Sequence, residues 1–207
     1  MLLRAALFDM DGLLVDTEMI HWEAWKEALN GHGIHLTFDD YAKNFGGKAP
    51  PTITNMLAMQ HNLSVSGEAL WRERREIVFR LMTEKLLSVM PHAKAATTFF
   101  VRHGIRMAVV SGGARSETVT NLNKAELLPQ FERVASRDDA DGKGKPGPAV
   151  YVQALKQLGL RGDECVAFED TQYGVESAAA AGVPCVAVQH RRFIGHDFSK
   201  SSPFAET

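Results

Sequence analysis

Cysteine is scarce in this chain of 207 residues: Cys165 and Cys185 are the whole complement. Each lies inside an apolar, strand-like run. They therefore read as buried, reduced thiols of a cytosolic protein, not as a disulfide framework. No apolar run approaches the ~18 residues of a membrane span. The first apolar stretch is broken by Arg4 and Asp9, which leaves it too short for a signal-peptide core. Neither sign of charge dominates, since 23 Lys and Arg face 25 Asp and Glu for a formal net charge of −2. That removes the electrostatic case for nucleic acid or an anionic membrane as partner. There is no cluster of Cys and His to suggest zinc, no internal repeat and no low-complexity tract. What remains has an ordinary globular balance, 45% hydrophobic and 23% charged, and is long enough for one sizeable core plus a small second domain.

Five short apolar runs read as strands: Ala5–Phe8, Met107–Val110, Arg133–Ser136, Cys165–Phe168 and Cys185–Val188. Four are near-continuously apolar, the pattern of parallel strands covered on both faces. Helical patterns at His92–His103, Arg115–Lys124, Pro148–Leu158 and Gln172–Ala181 separate them. Gly159 and Gly182 fall just past the last two, where a left-handed C-terminal residue belongs. Strand and helix in alternation predict an α/β fold, a Rossmann-like parallel sheet with right-handed crossovers.

The stretch from Val15 to Leu87 breaks the alternation. It shows no strand-like run but several amphipathic patterns, among them Ile20, Trp22, Trp25, Ala28 and Leu29, then Leu70, Ile77, Val78 and Leu81. It reads as a helical cap domain, residues 15–87, inserted after the first strand of a core formed by 1–14 and 88–207. Trp22 and Trp25 are expected in the cap core, and Arg72, Arg74 and Arg75 on a solvated helix face. The tail from His190 is polar and is expected to form at most a short turn or helix.

Ligands of an open α/β sheet bind outside the carboxyl ends of its strands. Asp9 and Asp11 lie at the end of the first predicted strand, Ser111 after the second, Lys145 in the loop after the third, and Glu169-Asp170 at the end of the fourth. Four segments thus converge on one cleft, and their residue types suit phosphoryl transfer. A phosphate ester is anionic, so its site must supply positive charge and fixed geometry. Asp9 can attack phosphorus and form an acyl phosphate. An oxygen-liganded magnesium ion offsets the repulsion, with Asp170 and Glu169 as further ligands or support. Lys145 adds a point charge. Ser111 donates a hydrogen bond, and the backbone at Gly112 and Gly113 favours anions. Asp11 can protonate the leaving oxygen and later deprotonate water.

The run Asp9-x-Asp11-Gly12-x-x-x-Asp16-Thr17-Glu18, then Ser111-Gly-Gly, then Lys145-Pro-x-Pro148-x-x-Tyr151, then Glu169-Asp170-Thr171-x-x-Gly174 resembles the haloacid dehalogenase superfamily. More narrowly it is similar to the branch of sugar-phosphate phosphatases and β-phosphoglucomutase-like proteins with a helical cap. The resemblance implies Asp9 as the phosphorylated nucleophile and Asp11 as acid and base. It implies magnesium on the Asp9 side chain, the Asp11 carbonyl and Asp170, supported by Glu169, with Ser111 and Lys145 clamping the phosphoryl group. It also implies a hinge or gating role for His21, from Asp16-Thr17-x-x-x-His21. In the cap turn Gly46-Gly47-Lys48-Ala49-Pro50, Lys48 stands near where mutases carry an arginine.

The expectation is therefore a cytoplasmic, magnesium-dependent phosphatase acting on a small phosphorylated metabolite, most simply a sugar phosphate. His21, Lys48 and Gly112 are candidate substrate contacts. Two alternatives stand beside it: a hexose-phosphate mutase of the β-phosphoglucomutase type, and a catalytically idle regulatory protein on the same fold. A monomer is compatible with the sequence, which does not set the oligomeric state.

Overall fold

The structure, a computed structural model, describes residues 3–45, 50–188 and 197–201. Strand β1 (Ala5–Phe8) is buried throughout. A tight turn leads to β2 (Val15–Asp16) and then to four helices: α1 (Glu18–Asn30), α2 (Phe38–Asn44), α3 (Pro50–Gln60) and α4 (Gly67–Glu84). The chain continues through β3 (Ser88–Val89), α5 (Ala93–Arg102), β4 (Arg106–Val110), α6 (Arg115–Lys124) and β5 (Arg133–Ala135). It closes with α7 (Ala149–Leu158), β6 (Cys165–Glu169), α8 (Gln172–Ala180) and β7 (Cys185–Ala187). These residues form two compact units, one of residues 3–16, 87–188 and 197–201, the other of residues 17–45 and 50–86.

In the first unit five strands make one parallel sheet in the order β5-β4-β1-β6-β7. Side chains alternate across a strand, so β1 feeds two cores. Ala5 and Leu7 pack with Tyr151 and Ala154 of α7 and Val175 and Ala178 of α8. Ala6 and Phe8 pack with Phe100 of α5 and Leu122 of α6. The Phe8 ring stacks on Phe168 at 5.0 Å and meets Phe100 edge-on at 5.7 Å. A fully buried large side chain such as Leu7 or Phe8 stabilises the fold by about 1.5–3 kcal/mol. Helices therefore cover both faces, which is why these strands read as continuous apolar runs. Helix α7 ends at Gly159, whose φ of +66° is the left-handed cap that glycine adopts without a Cβ penalty.

Chain order fixes where the crevice opens. From β1 the chain builds outward through β4 to β5, then crosses back and builds outward the other way through β6 and β7. The strands flanking β1 are thus left in opposite directions, and the switch lies at the carboxyl end of β1.

One expectation needs correction. The 15–87 stretch was expected to hold no strand, yet β2 pairs antiparallel with β3, Val15 opposite Val89 and Asp16 opposite Ser88. Each strand is two residues long, too short to show any periodicity, and the pairing partner is remote in sequence.

The second unit is helical. Trp25, Ala28, Leu29, Leu36, Tyr41, Phe45, Ile53, Leu57 and Leu70 form its core. Thr37 and Ser66 cap α2 and α4, their hydroxyl oxygens accepting the Asp40 and Ala69 N–H groups. Arg74 was expected in solvent with Arg72 and Arg75 but is 6% exposed. Its guanidinium stacks near the Trp25 and Trp71 rings, 5.1 and 5.5 Å from their centroids. Four residues from both Leu70 and Val78, it shares their buried face.

Candidate active site

Neighbouring parallel strands end at similar heights, so the residues that follow them meet. Asp9 extends β1 by one ladder step, its N–H donating to the Phe168 carbonyl at 3.0 Å. Ser111 follows β4, its N–H donating to the Ala135 carbonyl at 2.9 Å. Glu169 is the last residue of β6, and Asp170 comes next. All four side chains are buried.

Lys145 arrives from the loop between β5 and α7. Ser177 of α8 holds that loop by donating its hydroxyl to the Gly147 carbonyl at 2.6 Å. An ammonium has three donors and no acceptor. Lys145 directs its donors to the Val110 carbonyl at 2.9 Å, to Glu169 Oε1 at 2.6 Å and to Asp9 Oδ1. The contact with Asp9 is the shortest of the three and makes a buried ion pair.

Asp9, Glu169 and Asp170 bring carboxylate oxygens within 4.8 Å of one another. Three buried acids therefore lie together, and two of them, Asp9 and Glu169, share one ammonium. Buried charge is costly unless it is compensated. Burial pushes the Asp9 carboxyl well above the usual carboxylate range, the Lys145 ammonium pulls it back, and the charges of Glu169 and Asp11 push it up again. Burial also raises Glu169, against the pull of Lys145. For Lys145, burial disfavours the charge, but Asp9 and Glu169 outweigh it and hold the ammonium protonated. The cluster is short of positive charge, and its donors are all hard oxygens. Both properties fit a divalent cation of the magnesium type.

Two glycines are dictated by this packing. Gly12 has φ of +80°, and a Cβ there would overlap Asp170 Oδ2. Gly174, in the first turn of α8, leaves room for Glu169: a Cβ would overlap the carboxylate at Oε2. The glycine of the first motif thus seats an acid of the fourth, although more than half the chain separates them.

The residues singled out in the sequence fall into three groups. Asp9, Lys145, Glu169 and Asp170 meet directly. Asp11, Ser111 and Gly112 lie beside them. Asp11 is half-buried and bridges to Val15, in a turn closed by the Gly12 N–H donating to the Val15 carbonyl at 2.9 Å. Ser111 Oγ accepts the Gly113 N–H at 3.0 Å, so that N–H is directed to the serine. A Cβ at Gly112 would meet nothing within 4 Å. His21 belongs to the helical unit, with Nδ1 2.9 Å from Arg74 Nη2. Arginine can only donate, so Nδ1 is the acceptor and the ring proton sits on Nε2. Lys48 lies outside the described residues. Tyr151 belongs to the site as well: its hydroxyl donates to Glu169 Oε1 at 2.5 Å. The sequence signal for it is its fixed place in Lys145-Pro-x-Pro-x-x-Tyr151.

Buried acids and one lysine at the carboxyl edge of a parallel sheet are groups that suit phosphoryl transfer. The chain belongs to the haloacid dehalogenase-like hydrolases, whose family profile matches residues 6–188. It is 27% identical over 184 residues to the phosphorylated carbohydrates phosphatase of Thermotoga maritima, covering 87% of this chain and 82% of the relative. It is 29% identical over 186 residues to the fructose-1-phosphate phosphatase YqaB of Escherichia coli, covering 88% and 95%. Among solved structures, CbbY from Rhodobacter sphaeroides in complex with phosphate aligns with a TM-score of 0.83 at 22% identity, covering 97% of this chain and 92% of that one. At that identity the likeness is one of fold.

Proposed function

We propose that the protein is a magnesium-dependent phosphatase that hydrolyses a small phosphate monoester, a phosphorylated carbohydrate, through a phospho-aspartate on Asp9. The observation that carries this reading is the Lys145 ammonium shared between Asp9 and Glu169 in a buried cluster that also holds Asp170. The sugar-phosphate phosphatases among the relatives supply the substrate class.

Asp9 attacks phosphorus, and the bond from phosphorus to the sugar oxygen breaks. Asp11 gives that oxygen its proton. Water then attacks the aspartyl phosphate and loses a proton to Asp11. The bond between Asp9 and phosphorus breaks, releasing inorganic phosphate and restoring both carboxyl groups. Lys145 turns to the phosphoryl oxygens the donor that it gives Asp9 at rest, and Ser111 holds them beside it. Asp9, Asp170 and the Asp11 carbonyl would hold magnesium, with Glu169 in support, and the ion would offset repulsion between carboxylate and phosphate.

No helix among the described residues is long and apolar enough to cross a membrane. We propose a cytoplasmic location, where buried thiols such as Cys165 and Cys185 stay reduced.

A panel of phosphorylated sugars, assayed for phosphate release with magnesium, in chelator, and after magnesium add-back, tests this reading. Release that needs magnesium and is fastest on one sugar phosphate is the expected result. Full activity in chelator overturns the metal, and silence on the whole panel overturns the reaction.

A further inference from the structure

Tyr151 is a full-sized aromatic with no exposed surface, in the core between β1, α7 and α8. Phenylalanine would fill that space equally well. The hydroxyl is therefore the feature to explain, because a buried hydroxyl is costly unless it is bonded. It donates to Glu169 Oε1 at 2.5 Å, the same oxygen that accepts Lys145 Nζ at 2.6 Å. The ammonium also lies over the Tyr151 ring, 5.6 Å from its centroid. The other oxygen, Oε2, has no hydrogen-bond partner among the described residues and rests against Gly174. Glu169 is thus held by Tyr151 and Lys145 on one oxygen and by packing on the other.

We propose that Tyr151 is a positioning residue whose hydroxyl fixes Glu169 and, through it, the place of the Lys145 ammonium beside Asp9. Glu169 and Asp9 compete for one ammonium. The tyrosine O–H shares the charge on Oε1, which limits how far Glu169 draws Lys145 away from Asp9. This inference rests on the phosphatase reading, and a displaced lysine should slow transfer more than it weakens binding.

The test is Tyr151→Phe, assayed with p-nitrophenyl phosphate and magnesium beside the wild type. The expected result is a kcat lower by about 10- to 100-fold, the scale of a misplaced catalytic group, with KM within about twofold and a retained circular dichroism spectrum. In a Glu169→Ala background, where no carboxylate remains to be held, adding Tyr151→Phe should change kcat by less than about twofold. An unchanged kcat in the single variant overturns the proposal, even if the melting temperature falls, because that is a structural role alone. Losses that multiply in the double variant overturn it too. If Glu169→Ala does not fold, the division between kcat and KM in Tyr151→Phe decides. A wild type that releases no phosphate removes the phosphatase reading and this inference with it, whereas an active wild type matched by Tyr151→Phe removes this inference alone.

Discussion

The contact between Gly12 and Asp170 makes a quantitative prediction for Gly12→Ala. Two costs arise. The backbone at φ of +80° is left-handed, which costs an L-residue about 1–2 kcal/mol. The new methyl also overlaps Asp170 Oδ2, and forced repacking in a tight site costs about 1–3 kcal/mol. Gly159→Ala separates the two, since Gly159 has φ of +66° but open space around its Cβ. It should lose the first term only. At about 2–4 °C per kcal/mol for a protein of this size, Gly159→Ala should melt about 2–8 °C lower and Gly12→Ala about 4–20 °C lower. The larger difference should appear in metal use. A displaced Asp170 should raise the magnesium concentration for half-maximal phosphate release by about 10- to 100-fold in Gly12→Ala, on the scale seen when a metal ligand loses its support. Gly159→Ala should leave it unchanged. Thermal melts and magnesium titrations of the two variants decide the matter. Equal melting shifts with equal magnesium dependence would refute the argument that Gly12 exists to seat Asp170.

Two further outcomes follow from burial elsewhere. Arg74→Ala removes a guanidinium stacked near two tryptophans and bonded to His21, and should cost about 2–4 kcal/mol in a denaturant melt, whereas exposed Arg72→Ala should stay within about 0.5 kcal/mol; equal effects would return Arg74 to the surface. Burial pushes the thiols of Cys165 and Cys185 from 9.0 up to about 11 and about 12, so both should resist alkylation at pH 8 until the chain unfolds. Because the folded chain then keeps protons that the unfolded chain releases, these thiols should make stability fall as pH rises above 9. Rapid labelling of native protein, or a melting temperature that rises across that range, would contradict this.

The sheet was legible because burial on both faces removes the polar residues that blur other strands. Ala5–Phe8 reads as a strand and is one, with the bounds expected. Strand β6 runs one residue further than its apolar stretch, ending on Glu169, since the ladder continues where a functional carboxylate interrupts the apolar pattern. The meeting of Asp9, Lys145, Glu169 and Asp170 was legible through strand ends alone, because topology brings those ends together. Three features were not. The two-residue pair of β2 and β3 is too short to leave a pattern. The burial of Arg74 was hidden by its charge, although its spacing from Leu70 and Val78 marks the buried face. The overlap that forbids a side chain at Gly12 depends on a residue late in the chain, which no local window contains.

The central claim is that Asp9 becomes phosphorylated. Acid quenching during turnover, followed by borohydride reduction, converts an aspartyl phosphate to homoserine, which peptide mass spectrometry locates in the sequence. The account predicts homoserine at position 9 in the wild type with substrate present, none without substrate, and none in a folded Asp9→Asn variant that no longer releases phosphate. Homoserine at another aspartate, or undiminished turnover by Asp9→Asn, would contradict it.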